Sequence, residues 1–166
     1  MNRKEYTMPI IEPLVLIIED DSPKFKAING YLQEFMPDAQ LIHASSLTSA
    51  IQVLSTKSVT LAIIDMSLPT YDAAKDRTGG GQPQGFGGID ILRFIETESP
   101  DTYGIVLTQY EEFLSSFGEP KDLDSLRKEL EAKFSPYLLG VVYYSSLLGD
   151  WRTSIKELLD QSGIKI

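Results

Sequence analysis

The sequence predicts an α/β fold, a parallel β-sheet covered by helices on both faces. Three observations carry this. Leu14-Val15-Leu16-Ile17-Ile18 is an unbroken apolar run that ends in Glu19-Asp20-Asp21. Leu61-Ala62-Ile63-Ile64 repeats the pattern and ends in Asp65. Runs without alternation read as strands buried on both faces, as central parallel strands are. Between the runs lie segments with apolar residues three and four apart, the spacing of amphipathic helices. Unpaired acids cannot share the buried layer, so they belong at the carboxyl ends of the strands, where open α/β sheets bind ligands. Three crowded carboxylates repel one another and want a cation, which predicts a metal-binding acidic pocket at the tip of the first strand.

Taken in order, residues 1–13 read as a leader into the first strand. Ser22-Pro23 is a helix-start signal, with Ser22 as cap and Pro23 at the first helical position. The helix that follows is expected to bury Phe25, Ile28, Leu32 and Phe35, and Met36-Pro37-Asp38 ends it. Residues 39–45 read as the second strand and 47–56 as the second helix. After Asp65 come Met66-Ser67-Leu68-Pro69 and a polar, glycine-rich insertion over 70–88. Residues 89–97 read as the third helix and 103–107 as the fourth strand, ending at Thr108. The connection over 109–136 is long, with a short helix expected over 111–117 and a clearer one over 122–134. Residues 137–144 read as the fifth strand and 150–161 as a closing helix that buries Trp151, Ile155, Leu158 and Leu159.

The length of 166 residues fits one domain with a real core. A net charge of −9 argues against nonspecific binding to nucleic acid or anionic lipid. Cysteine is absent, which excludes disulfides and thiolate metal sites and fits a cytoplasmic location. No stretch reaches the length of a membrane span, and Glu12-Pro13 interrupts what would be a signal sequence.

In sequence order, Val15-Leu16-Ile17-Ile18-Glu19-Asp20-Asp21-Ser22-Pro23, Leu61-Ala62-Ile63-Ile64-Asp65-Met66-Ser67-Leu68-Pro69, Gly88-Ile89-Asp90-Ile91-Leu92 and Ile105-Val106-Leu107-Thr108 resemble the receiver domain of two-component response regulators. Each motif alone is weak; their order makes the resemblance specific, and it covers nearly the whole chain. It implies a flavodoxin-like doubly wound sheet of five parallel strands in the order 2-1-3-4-5. It implies that Asp65 accepts a phosphoryl group and that Glu19 and Asp20, with Asp65 and the backbone carbonyl of Ser67, hold Mg2+. Thr108 matches the hydroxyl residue that contacts the phosphoryl group, and Asp21 matches a position that is often acidic but not usually a ligand. The resemblance further implies a stand-alone phosphoacceptor, not an enzyme beyond slow self-dephosphorylation. Its phosphodonor would be a histidine kinase or a histidine phosphotransfer protein, and its output a separate effector protein. A homodimer through the face of strands four and five is a further expectation.

The chain departs from the family at several positions. Receivers place a lysine at the end of the fifth strand, where this chain has Tyr144, or Tyr143 if the register slips by one. A neutral hydrogen bond there nets about 0.5–1.5 kcal/mol, against about 1.5–3 for a charged one. Lys75 or Arg77, in the insertion, is the expected replacement cation. Gln109 stands where a small residue is usual, and Val141 or Gly140 where the family has a switch aromatic, which implies a remodelled output face.

Each feature has a plainer reading. The acids after the first strand also suit the start of a helix, worth about 0.3–1 kcal/mol each. Thr108 alone is an ordinary β-branched strand residue, and His43, in a predicted strand, is read as structural. The 78–88 run has no P-loop ending and reads as a linker before it reads as an anion nest. The alternative function is a pseudo-receiver, a protein-interaction module that signals without phosphorylation. A magnesium-dependent phosphatase would need a general acid near Asp65, which Asp65-Met66-Ser67 does not supply.

Overall fold

The structure is a computed structural model and describes residues 12–72, 87–114 and 120–164. The expected sheet is present. Its strands are β1 (Leu14–Ile18), β2 (Gln40–Ala44), β3 (Leu61–Ile64), β4 (Tyr103–Thr108) and β7 (Leu138–Tyr143), all parallel, in the order β2-β1-β3-β4-β7. This is the 2-1-3-4-5 order, with the fifth place taken by β7 because a hairpin intervenes. Val15, Leu16, Ile17 and Ile18 are fully buried, and burying each such side chain is worth roughly 1.5–3 kcal/mol.

The helices are α1 (Ser22–Phe35), α2 (Leu47–Thr56), α3 (Gly87–Glu98), α4 (Leu123–Phe134) and α5 (Asp150–Ser162). Alternating sheet residues face opposite layers. Leu16, Ile18, Ala62, Ile64 and Val106 pack with α2, α3 and α4, whereas Val15, Ile17, Ile63, Ile105 and Val142 pack with α1 and α5. Trp151, Ile155 and Leu159 are buried in the second layer, as the spacing of the last helix required, and Leu158 is only partly so. Among the described residues no helix is long and apolar enough to cross a membrane.

Two local expectations are corrected. The cap of α1 is Asp21, whose side chain accepts from the Lys24 N–H at 3.3 Å, so Ser22 already lies inside the helix. The expected short helix over 111–117 is instead a strand where it is described: β5 (Glu112–Leu114) pairs antiparallel with β6 (Pro120–Asp122). A three-residue strand carries too little pattern to separate from a helical turn. α2 begins with a reciprocal cap, Ser46 and Ser49 each bonding the other's backbone.

Candidate functional site

The acids stand at the carboxyl edge because the ladder carries one step beyond the strands. The Glu19 N–H donates to the Ala44 carbonyl at 3.0 Å, and the Asp65 N–H donates to the Ile18 carbonyl at 2.9 Å. The Glu19 carbonyl accepts from His43 Nε2 at 2.8 Å, and the His43 ring stacks on Phe25 at 3.7 Å. The single histidine is therefore structural, and it braces a site residue. The chain after Asp65 is tied down as well. The Leu47 and Thr48 N–H groups, at the start of α2, donate to the Pro69 and Thr70 carbonyls at 2.9 and 3.1 Å. The Ser67 N–H donates to Asp65 Oδ2 at 3.2 Å, and the Gly88 N–H donates to the Met66 carbonyl at 2.9 Å.

This scaffold brings together the acids singled out in the sequence. Glu19, Asp20 and Asp65 each present an oxygen, and the three oxygens lie within 4.8 Å of one another. Glu19 and Asp65 are buried, at 2 % and 5 % exposure, while Asp20 is exposed.

Sequence reasoning missed Lys24. Its side chain is 2 % exposed and reaches from the first turn of α1 into the middle of the acids. Nζ lies 2.6 Å from Glu19 Oε2 and 2.6 Å from Asp65 Oδ1, and it donates to the Leu107 carbonyl at 2.8 Å. The Tyr144 ring centroid is 5.6 Å away, within cation–π range. A signal was available: Leu32 and Ile28 define the buried stripe of α1, and one more step of four back along it is Lys24.

The charges do not balance. Three carboxylates face one ammonium. Burial pushes the Glu19 carboxyl up to about 7, against the pull of Lys24. Burial raises Asp65 from the ordinary aspartate value and raises Asp20 as well. Burial pulls the Lys24 ammonium down, but Asp65 and Glu19 more than offset it, so Lys24 stays charged. The Lys24 contact to Glu19 Oε2 is an ion pair by distance, yet its angles are not those of a hydrogen bond, and Oε2 is buried without a donor. An orphaned buried oxygen in an all-carboxylate set fits a hard divalent cation.

The other expected site residues fall around this centre. Thr108, fully buried at the end of β4, accepts the Tyr110 N–H on its hydroxyl at 3.2 Å. Tyr144 follows β7, donates its N–H to the Thr108 carbonyl at 2.8 Å and packs its ring on Trp151 at 5.4 Å. Tyr143 and Gln109 are exposed, and Gly140 and Val141 are buried. Lys75 and Arg77, together with most of the glycine-rich insertion, lie outside the described residues.

No family model matches the chain. Among curated proteins it is 27% identical over 143 residues to the uncharacterized protein y4jR of Sinorhizobium fredii, covering 85% of this chain and 93% of that one. It is 22% identical over 142 residues to the Detocs response regulatory protein DtcB of Enterobacter cloacae, covering 85% and 94%. Among solved structures it resembles the receiver domain of a LuxO repressor protein from Vibrio parahaemolyticus, with TM-score 0.62, 19% identity and coverage of 92% and 94%. It also resembles a CheY-like receiver from Methanospirillum hungatei, with TM-score 0.59, 16% identity and coverage of 92% and 98%. A third likeness is to the response regulator TrrA of Thermotoga maritima in complex with Mg2+ and BeF, with TM-score 0.57, 18% identity and coverage of 89% and 99%. The fold is that of response regulator receiver domains, and here it carries no lysine at the end of its fifth sheet strand.

Proposed function

We propose that this chain accepts a phosphoryl group on Asp65 from a histidine kinase or histidine phosphotransfer protein, and that the change regulates or buffers a separate partner. The observation that carries this reading is the meeting of Glu19, Asp20 and Asp65 oxygens within 4.8 Å at the strand tips of a receiver fold. An Asp65 carboxylate oxygen bonds to phosphorus as the bond from phosphorus to the donor's leaving atom breaks, and the electron pair departs with the leaving group. With acetyl phosphate as donor the leaving group is acetate, and no proton has to move. Both partners are anionic, so transfer depends on positioning and charge neutralisation. Glu19, Asp20, Asp65 and the Ser67 carbonyl would hold Mg2+, which when bound supplies neutralising charge beside the carboxylate. The Ser67 N–H orients Asp65 through Oδ2. Thr108, at the tip of the adjacent strand, would donate its hydroxyl to the added oxygens, since its oxygen is the acceptor in the Tyr110 N–H contact.

One observation favours a second reading. Lys24 already pairs with Glu19 and Asp65, so the acids could serve a structural cluster in a pseudo-receiver. Incubation with Mg2+ and acetyl phosphate separates the two. The phosphoacceptor gains the mass of one phosphoryl group, and Asp65→Asn abolishes the gain. An unchanged mass together with no measurable Mg2+ binding establishes the pseudo-receiver.

A further inference from the structure

Lys24 occupies a position that neither helix stability nor packing explains. It sits in the first turn of α1, where the helix dipole disfavours a cation, and that turn carries no acidic residue. Its stripe neighbours Ile28 and Leu32 are apolar, so an apolar residue would suit the helix face better. A local rule is broken in favour of the site, the pattern expected of functional positions. The ammonium is held from three different strand ends: it donates to Asp65 Oδ1 after β3 and to the Leu107 carbonyl in β4, and it pairs by charge with Glu19 after β1.

We propose that Lys24 is the phosphoryl-binding cation of this chain, supplied from the first turn of α1 in place of the lysine that receivers carry after the fifth strand. The proposal rests on the phosphoacceptor reading above and adds to it a residue and a route. Nζ is 2.6 Å from Asp65 Oδ1, so a phosphoryl group on that carboxylate brings its oxygens into reach of the ammonium. As the O–P bond forms and acetate leaves, the carboxylate loses its negative charge and the added phosphoryl carries two. Lys24 then exchanges its Asp65 oxygen for a phosphoryl oxygen and keeps the Leu107 carbonyl as an anchor. The Tyr144 ring, 5.6 Å away, walls the ammonium on the side where the usual lysine would enter. The chain thus holds its cation from the opposite side of Asp65, and two cations in one pocket would repel. An aromatic ring at position 144 removes that conflict.

The test uses the full chain and two readings that move in opposite directions. Lys24→Met removes a positive charge from the acid cluster, so Mg2+ affinity, measured without any phosphodonor, holds or rises. Phosphoryl acceptance from acetyl phosphate, and Mg2+-dependent binding of beryllium fluoride, fall about ten- to hundredfold, the worth of a charge-assisted hydrogen bond. Acceptance equal to wild type overturns the proposal, and so does a parallel fall of acceptance and Mg2+ affinity, which marks a structural role. If the methionine variant does not fold, the wild-type protein gives the answer. The Lys24 side-chain ammonium resonance shifts on adding beryllium fluoride to the Mg2+-loaded protein, and an unmoved resonance overturns the proposal. Absence of any acceptance by the wild type strikes the phosphoacceptor reading itself, a distinct result.

Discussion

Gly88 lies directly against the backbone of Asp65. A Cβ at position 88 would stand 2.7 Å from the Asp65 carbonyl oxygen and 3.0 Å from the Met66 Cα. Both atoms belong to the main chain, so neither can rotate away. The start of α3 is therefore fitted to the loop that presents the Asp65 carboxylate.

Gly88→Ala is expected to destabilise the protein by about 1–3 kcal/mol through backbone displacement and to weaken Mg2+ binding as Asp65 shifts. Gly30→Ala, in the middle of α1 with nothing within 4 Å, is the control and should stabilise by up to about 1 kcal/mol. Denaturant melts of the two variants check the opposite signs.

Asp20 is the exposed member of the acid cluster. Its replacement removes one charge of the cluster without opening the core. Asp20→Asn should lower Mg2+ affinity by about tenfold or more and leave metal-free stability within about 0.5 kcal/mol of wild type. Wild type should melt higher as Mg2+ is added, by mass action on the folded state, and the variant should respond only at higher concentrations. Thermal melts across a Mg2+ series read both effects.

Tyr144 stands beside the cation through its ring, not through a charge. Tyr144→Phe keeps the ring against Trp151 and Lys24, so phosphoryl acceptance should stay within about twofold of wild type, since the variant forfeits no charged bond. Tyr144→Ala empties a buried position and should cost about 3–5 kcal/mol. Acetyl phosphate labelling and denaturant melts of the two variants separate packing from chemistry.

The sheet was legible because both central strands are uninterrupted apolar runs that end in acid, and burial forces those acids to the edge. For the same reason the order of motifs singled out Glu19, Asp20 and Asp65, whose oxygens meet at the strand tips. Lys24 was not legible by the usual rule, which assigns lysines to solvent. Only its place four residues before Ile28 marks it as inward-facing, and that spacing was outweighed by Phe25, which packs on His43 and stays partly buried. The strand at Glu112–Leu114 was missed because its register depends on its pairing with the next strand, Pro120–Asp122, rather than on any internal period.

Glu19 and Asp21 lie in the short turn from β1 into α1, and Lys24 lies in the first turn of the helix that follows. An anion, the cap of the helix and the counter-ion thus follow one another closely along the chain. With the cation supplied from α1, as proposed above, the far edge of the sheet has no charge to hold at the site. Tyr143, Leu147 and Leu148 project there into solvent, and evolution can rewrite them for recognition while the chemistry stays put.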